Sequence, residues 1–129
     1  MQHEPGSVGR WLQYARGDMA MAEQPMSADV PYLLRCFHAQ QAAEKSVKAV
    51  LLRFGVAYPP THNLSVLFAL LPEDVPPPQD LAGIVGLTVY AVSARYPDEI
   101  DEATEAEHRE AVALAREAVR WAESMIAAG

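Results

Sequence analysis

The chain of 129 residues predicts an all-α fold: an up-and-down four-helix bundle with one additional short helix, in a single domain over residues 1–129. Three observations carry this expectation. Apolar residues recur at spacings of three and four through successive segments, as one face of a helix requires. No segment alternates apolar and polar residues as a half-buried strand would, and there is no internal repeat. The strong breakers, Pro25, Gly55, the PEDVPPPQD segment and Pro97, stand between the periodic segments.

Residues 9–24 predict the first helix, with Leu12, Ala15, Met19 and Ala22 on its buried stripe and Trp11 and Tyr14 flanking it. Asp18 falls near the edge of that stripe, a place where solvation is usual and membership of a polar cluster is the alternative. Pro25 ends the helix. Asp29 can cap the next one, with Pro31 in its first turn, where the missing N–H does no harm.

The second helix, running to about Phe54, organises the chain. Leu34–Phe54 is twenty-one residues without Gly or Pro, close to six turns. Cys36, Ala39, Ala43, Val47, Val50, Leu51 and Phe54 share one broad apolar arc, and Gln40 and Glu44 interrupt it one turn apart. Leaving a buried neutral polar group unsatisfied costs roughly 2–7 kcal/mol, and a carboxylate costs more, so Glu44 requires a partner. Gly55 stops the helix.

After the VAYPP loop, Thr61 is the expected N-cap of a short third helix with Leu64, Leu67, Phe68 and Leu71 on its apolar side. PEDVPPPQD reads as an extended connector. A fourth helix is expected from about Gln79 to Arg95, with Leu81, Val85, Thr88 and Val92 as its stripe and Arg95 on or beside that face. Thr104 and Glu107 form a capping box for the last helix, whose Ala111, Ala115, Ala118, Ala122, Met125 and Ile126 suit close helix approach.

Half the residues are hydrophobic and 21% are charged, ordinary values for a soluble globular protein. No apolar run approaches a membrane span, and the first ten residues lack the apolar core of a signal peptide, so a cytoplasmic protein is expected. The lone Cys36 reads as a small core hydrophobe. A net charge of −7 argues against broad, nonspecific nucleic-acid binding. The charge is uneven, however. Residues 98–110 carry seven acids against one Arg, whereas residues 31–62 carry Arg35, Lys45, Lys48 and Arg53 against Glu44 alone. The basic residues of the second helix are solvated surface groups or a small phosphate patch, the former being the commoner case.

For Glu44 the simplest partner is Arg95, whose planar fork suits a carboxylate, with Gln40 completing the hydrogen bonds. Such a cluster is either a functional site or a pin that sets helix register. His38 falls on the more exposed side of the second helix, His62 in the first turn of the short helix, and His108 in the acidic region. HxxxH, HExxH and CxxC patterns are absent, as are phosphate-loop, GxGxxG and GxSxG motifs. No metal and no cofactor are expected.

The blocks CFHAQQAAEKSVKAVL, THNLSVL and VYAVSARYPDE, in this order and spacing, resemble the HEPN domain family of small prokaryotic helical proteins. The resemblance implies a helical bundle that forms homodimers and pairs with a minimal nucleotidyltransferase in toxin–antitoxin modules. Many such proteins are metal-independent ribonucleases with an Arg-x(4–6)-His motif, in which the His moves protons and the Arg stabilises the phosphorane charge. This chain departs from that motif: Arg95 is present, but Asp101 and Glu102 stand where the His would fall, and His108 comes thirteen positions after the Arg. Its RYP block therefore implies a non-catalytic version that binds a nucleotide or RNA, with Gln40, Glu44, Lys45, Lys48, Arg95 and Tyr96 lining the site. The alternatives are a ribonuclease using Arg95 with His38, His62 or His108, and a purely structural assembly module.

Overall fold

The structure, a computed structural model, describes residues 5–25, 29–93 and 102–128. Among the described residues it is all-helical: α1 (Pro5–Glu23), α2 (Tyr32–Arg53), α3 (Leu64–Phe68), α4 (Leu81–Gly86), α5 (Val89–Ser93) and α6 (Glu105–Ala128). Three long helices form the frame. Contacts of Asp18 with Lys45 and of Gln24 with Arg35 set α1 antiparallel to α2, and Arg16–Glu123 and Glu23–Arg116 set it antiparallel to α6. No described helix is long and apolar enough to cross a membrane.

α2 is the centre of the core. Cys36, Ala39, Ala42, Ala43, Val47, Val50 and Leu51 are fully enclosed, packed with Ala15 and Ala22 of α1 and with Ala115, Ala118 and Ala122 of α6. The alanines explain the close approach of three helices, because a small side chain lets neighbouring backbones draw together. Gly55 ends α2 with a φ of +72°, a backbone region that glycine enters without steric cost.

The N-terminus of α2 differs from expectation. Pro31, not Asp29, is the N-cap residue and supplies no side-chain cap. The Glu102 carboxylate reaches across instead, accepting from Leu33 N and, at 3.0 Å, from Ala103 N. A carboxylate suits this place because free N–H groups and the positive end of the helix dipole converge there.

The expected fourth helix is two short helices. Leu87 and Thr88 make turn-type bonds to Ile84 and Val85 at 3.0 and 3.1 Å, and the helical path restarts at Val89. Gly83 and Gly86 each weaken helix propensity by about 1 kcal/mol relative to Ala, so the segment yields where its packing asks for a bend. Gly83 also permits close approach: a Cβ there would lie 2.7 Å from Leu114 Cδ2 of α6.

The remaining caps follow the sequence more closely. Thr104 and Glu107 form the reciprocal capping box, with bonds of 2.8 and 3.1 Å. For α3 the cap is Asn63, whose Oδ1 accepts from Ser65 N and Val66 N, while Thr61 Oγ1 accepts from Asn63 N at 3.0 Å. Both residue types suit a cap, and Thr61 holds the capping residue in place. The proline-rich connector contains a turn, Val75 N to Pro72 O at 3.0 Å, and is anchored where Trp121 Nε1 donates to Pro76 O at 2.7 Å.

Candidate functional site

Gln40, Glu44 and Lys48 stand at successive i, i+4 positions on α2, so all three project from one stripe. Gln40 is fully buried. Its amide nitrogen donates to Glu44 Oε1 at 3.0 Å and to the His62 carbonyl at 3.3 Å, and its oxygen accepts from Gln41 at 2.7 Å. Lys48 Nζ lies 2.9 Å from Glu44 Oε2, and His62 Nδ1 lies 2.9 Å from Glu44 Oε1. Both Glu44 oxygens are thus engaged, with only 4% of the side chain exposed, whereas 49% of the His62 side chain is exposed.

Burial alone would push the Glu44 carboxyl up. Hydrogen bonds from Gln40, Lys48 and His62, with the Lys48 charge, outweigh that effect and hold it below its ordinary value. The cluster is therefore an ionised carboxylate held by fixed donors. The expected partner of Glu44 is Arg95, but its partners among the described residues are Gln40, Lys48 and His62; Arg95 and Tyr96 lie outside the described residues. Lys48 is no solvated lysine. Its ammonium sits 5.5 Å from the ring centroids of both Trp11 and Tyr58, an enclosure that favours a cation.

A second cluster lies one turn away on the α1–α2 seam. Asp18 receives Lys45 Nζ at 2.5 Å and meets His38 Nδ1 at 3.0 Å. Asp18 thus joins a polar cluster, and His38, expected on the more exposed side, is partly enclosed with 22% of its side chain exposed. Lys45 also lies 5.8 Å from the Tyr14 ring centroid. Arg10, one turn earlier on α1, packs on the same ring at 5.4 Å.

His108 is drawn elsewhere. Its Nε2 is 2.7 Å from Ala22 O, and its ring tilts against Tyr32 at 5.4 Å, at the end of the bundle where α1 stops and α6 starts. Arg35 is not a surface charge either. It is 1% exposed, with its guanidinium donating to the Gln24 and Pro25 carbonyls at the end of α1. A cation there satisfies terminal carbonyls and the negative end of the dipole, so Arg35 is an internal clamp and no part of a surface patch.

Of the residues the sequence singles out, Gln40, Glu44, Lys48 and His62 come together around the Glu44 carboxylate and Lys45 pairs with Asp18, while the aromatic walls carry no such signal. Trp11 and Tyr14 were visible only as residues flanking a stripe, and Tyr58 carried no signal in its loop. Among the described residues no group of three or more His, Cys, Asp and Glu side chains is placed to hold a metal ion.

A profile of the HEPN domain matches residues 8–125. The chain belongs to the HEPN domain family. Two solved structures share the bundle of this HEPN protein. The crystal structure of TT1696 from Thermus thermophilus superposes with a TM-score of 0.79 at 33% identity, covering 92% of this chain and 97% of that one. The structure of ST0689, described as an archaeal HEPN homologue, superposes at 0.72 with 29% identity, covering 98% and 99%. No curated protein matches the chain in sequence.

Proposed function

We propose that this HEPN protein is a non-catalytic, homodimeric member of a two-component, toxin–antitoxin module with a minimal nucleotidyltransferase, and that it binds a nucleotide or RNA. The observation that carries the non-catalytic reading is the role of Glu102. It stands at the last position where an Arg-x(4–6)-His motif starting at Arg95 would place its histidine, and its carboxylate is the cap of α2. That carboxylate is engaged by the backbone N–H groups of Leu33 and Ala103, so the side chain at this position is committed to the helix end, and no imidazole stands there. The partner enzyme and the RYP subtype rest on the resemblance of the Arg95-Tyr96-Pro97 block and its companions. Ligand binding is supported by Arg10, which packs on the Tyr14 ring beside Trp11 on α1 inside an acidic protein.

The test is induced expression with RNA integrity followed over time, together with binding of mononucleotides and short single-stranded RNA to the purified protein. The reading expects binding without cleavage. Growth arrest and RNA cleavage that vanish in Arg95→Ala would overturn it.

One observation favours a second reading. A half-exposed His62, oriented through Nδ1 by buried Glu44, has the form of an acid–base histidine. In a ribonuclease of this atypical kind, Arg95→Ala and His62→Ala would each abolish cleavage.

A further inference from the structure

A groove of about 390 Å³ runs beside α1, lined by Ser7, Arg10, Trp11 and Tyr14. Its volume is within the range of roughly 300–1,000 Å³ common to small-molecule sites. None of these four residues belongs to the Glu44 cluster, yet Trp11 joins the two, since its ring also covers the Lys48 ammonium. Trp11 and Tyr14 are three residues apart on one helix, so neighbouring aromatic faces border one opening. Tyr14 is 47% exposed, so part of its ring is open to solvent beside the groove.

The charges beside the groove are unequal. Lys45 is neutralised by Asp18 and Lys48 by Glu44. Arg10 has no carboxylate partner among the described residues; its Nη2 contacts Tyr14 Oη at 3.4 Å and its guanidinium lies over the Tyr14 ring. Among the described residues Arg10 is thus a planar cation without a carboxylate, held against a tyrosine and beside a tryptophan, and it matches a planar ring carrying an anionic group. Aromatic faces accept any nucleobase by stacking, and a guanidinium binds phosphate through paired N–H donors.

We propose that the Ser7–Arg10–Trp11–Tyr14 groove is a nucleoside-monophosphate subsite, with the base against Tyr14 and Trp11 and the phosphate on Arg10. The proposal rests on the nucleotide- or RNA-binding part of the functional reading and deepens it. Ser7 is placed at the groove wall to hydrogen-bond a sugar or phosphate oxygen. The same chemistry is offered by a free mononucleotide and by the terminal nucleotide of an RNA strand.

Calorimetric titration of the full chain with adenosine monophosphate, adenosine, inorganic phosphate and a short oligoadenylate tests it. Arg10 and Tyr14 are exposed, so Arg10→Ala and Tyr14→Ala should keep the wild-type melting temperature. The monophosphate should bind more tightly than adenosine or phosphate alone. Arg10→Ala should weaken the monophosphate about tenfold and leave adenosine unchanged, whereas Tyr14→Ala should weaken both by about tenfold. Oligoadenylate binding tighter than the monophosphate assigns an RNA end, and equal binding assigns a free nucleotide; either supports the subsite. Wild-type affinity in both variants overturns the subsite while nucleotide binding stands. Absence of binding for every nucleotide and RNA probe overturns both.

Discussion

The Lys48 ammonium meets the Glu44 carboxylate at 2.9 Å with 10% and 4% of the two side chains exposed, so this ion pair lies inside the bundle. Its desolvation is offset by geometry: Gln40 and His62 supply further hydrogen bonds to the carboxylate, and Trp11 and Tyr58 face the ammonium. Breaking one side of a buried pair is costly because the other charge stays enclosed without a partner. Glu44→Ala should therefore lower unfolding free energy by about 3–5 kcal/mol, measured by urea denaturation. A loss typical of a surface pair, under about 1 kcal/mol, would contradict the burial.

Acid should weaken the fold through the same group. The folded-state Glu44 carboxyl is held below its ordinary value, so its contribution is present above the unfolded value and is lost as pH falls through the folded one. Urea midpoints should fall from about pH 5 downward, and Glu44→Gln should show a shallower fall than wild type. Equal slopes would remove Glu44 from the account.

Arg35 should not tolerate lysine. Its two nitrogens reach two different carbonyls, Gln24 and Pro25, which a single ammonium cannot match with the same fork. Arg35→Lys should destabilise by about 1.5–3 kcal/mol, the usual worth of one charged hydrogen bond. A neutral outcome in thermal melting would show that the clamp is dispensable.

Cys36 is fully enclosed, and its thiol is pushed up to about 11 by burial, only partly opposed by a hydrogen bond with Tyr90. Thiol reagents attack the thiolate, so labelling at neutral pH should be slow in the native protein and complete in urea. Rapid native labelling would mean that the seam between α2 and α5 opens readily.

The fold was legible because its causes are local. Periodicity placed α1, α2 and α6, and Thr104 with Glu107 marked the last helix start. The split between α4 and α5 was carried by Gly83 and Gly86, but their cost is small enough for tertiary packing to decide. The candidate site was half legible. Gln40 and Glu44 announced themselves as polar residues on an apolar arc. Lys48, four residues after Glu44, has the spacing of a helical ion pair, yet a lysine is normally solvated and burial depends on distant Trp11 and Tyr58. His62 reaches Glu44 only because the loop after α2 folds back, which no local pattern encodes. Arg35 looks like surface charge in the sequence because its carbonyl partners at the end of α1 exist only once the helices pack.

The central claim is that Glu44 is held by Lys48 inside the bundle. A double-mutant cycle with Glu44→Gln, Lys48→Met and the combined variant, each followed by urea denaturation, tests it most directly. The geometry predicts a coupling of at least about 1 kcal/mol, with the double variant more stable than the sum of the single losses implies. Additivity within about 0.5 kcal/mol would contradict it.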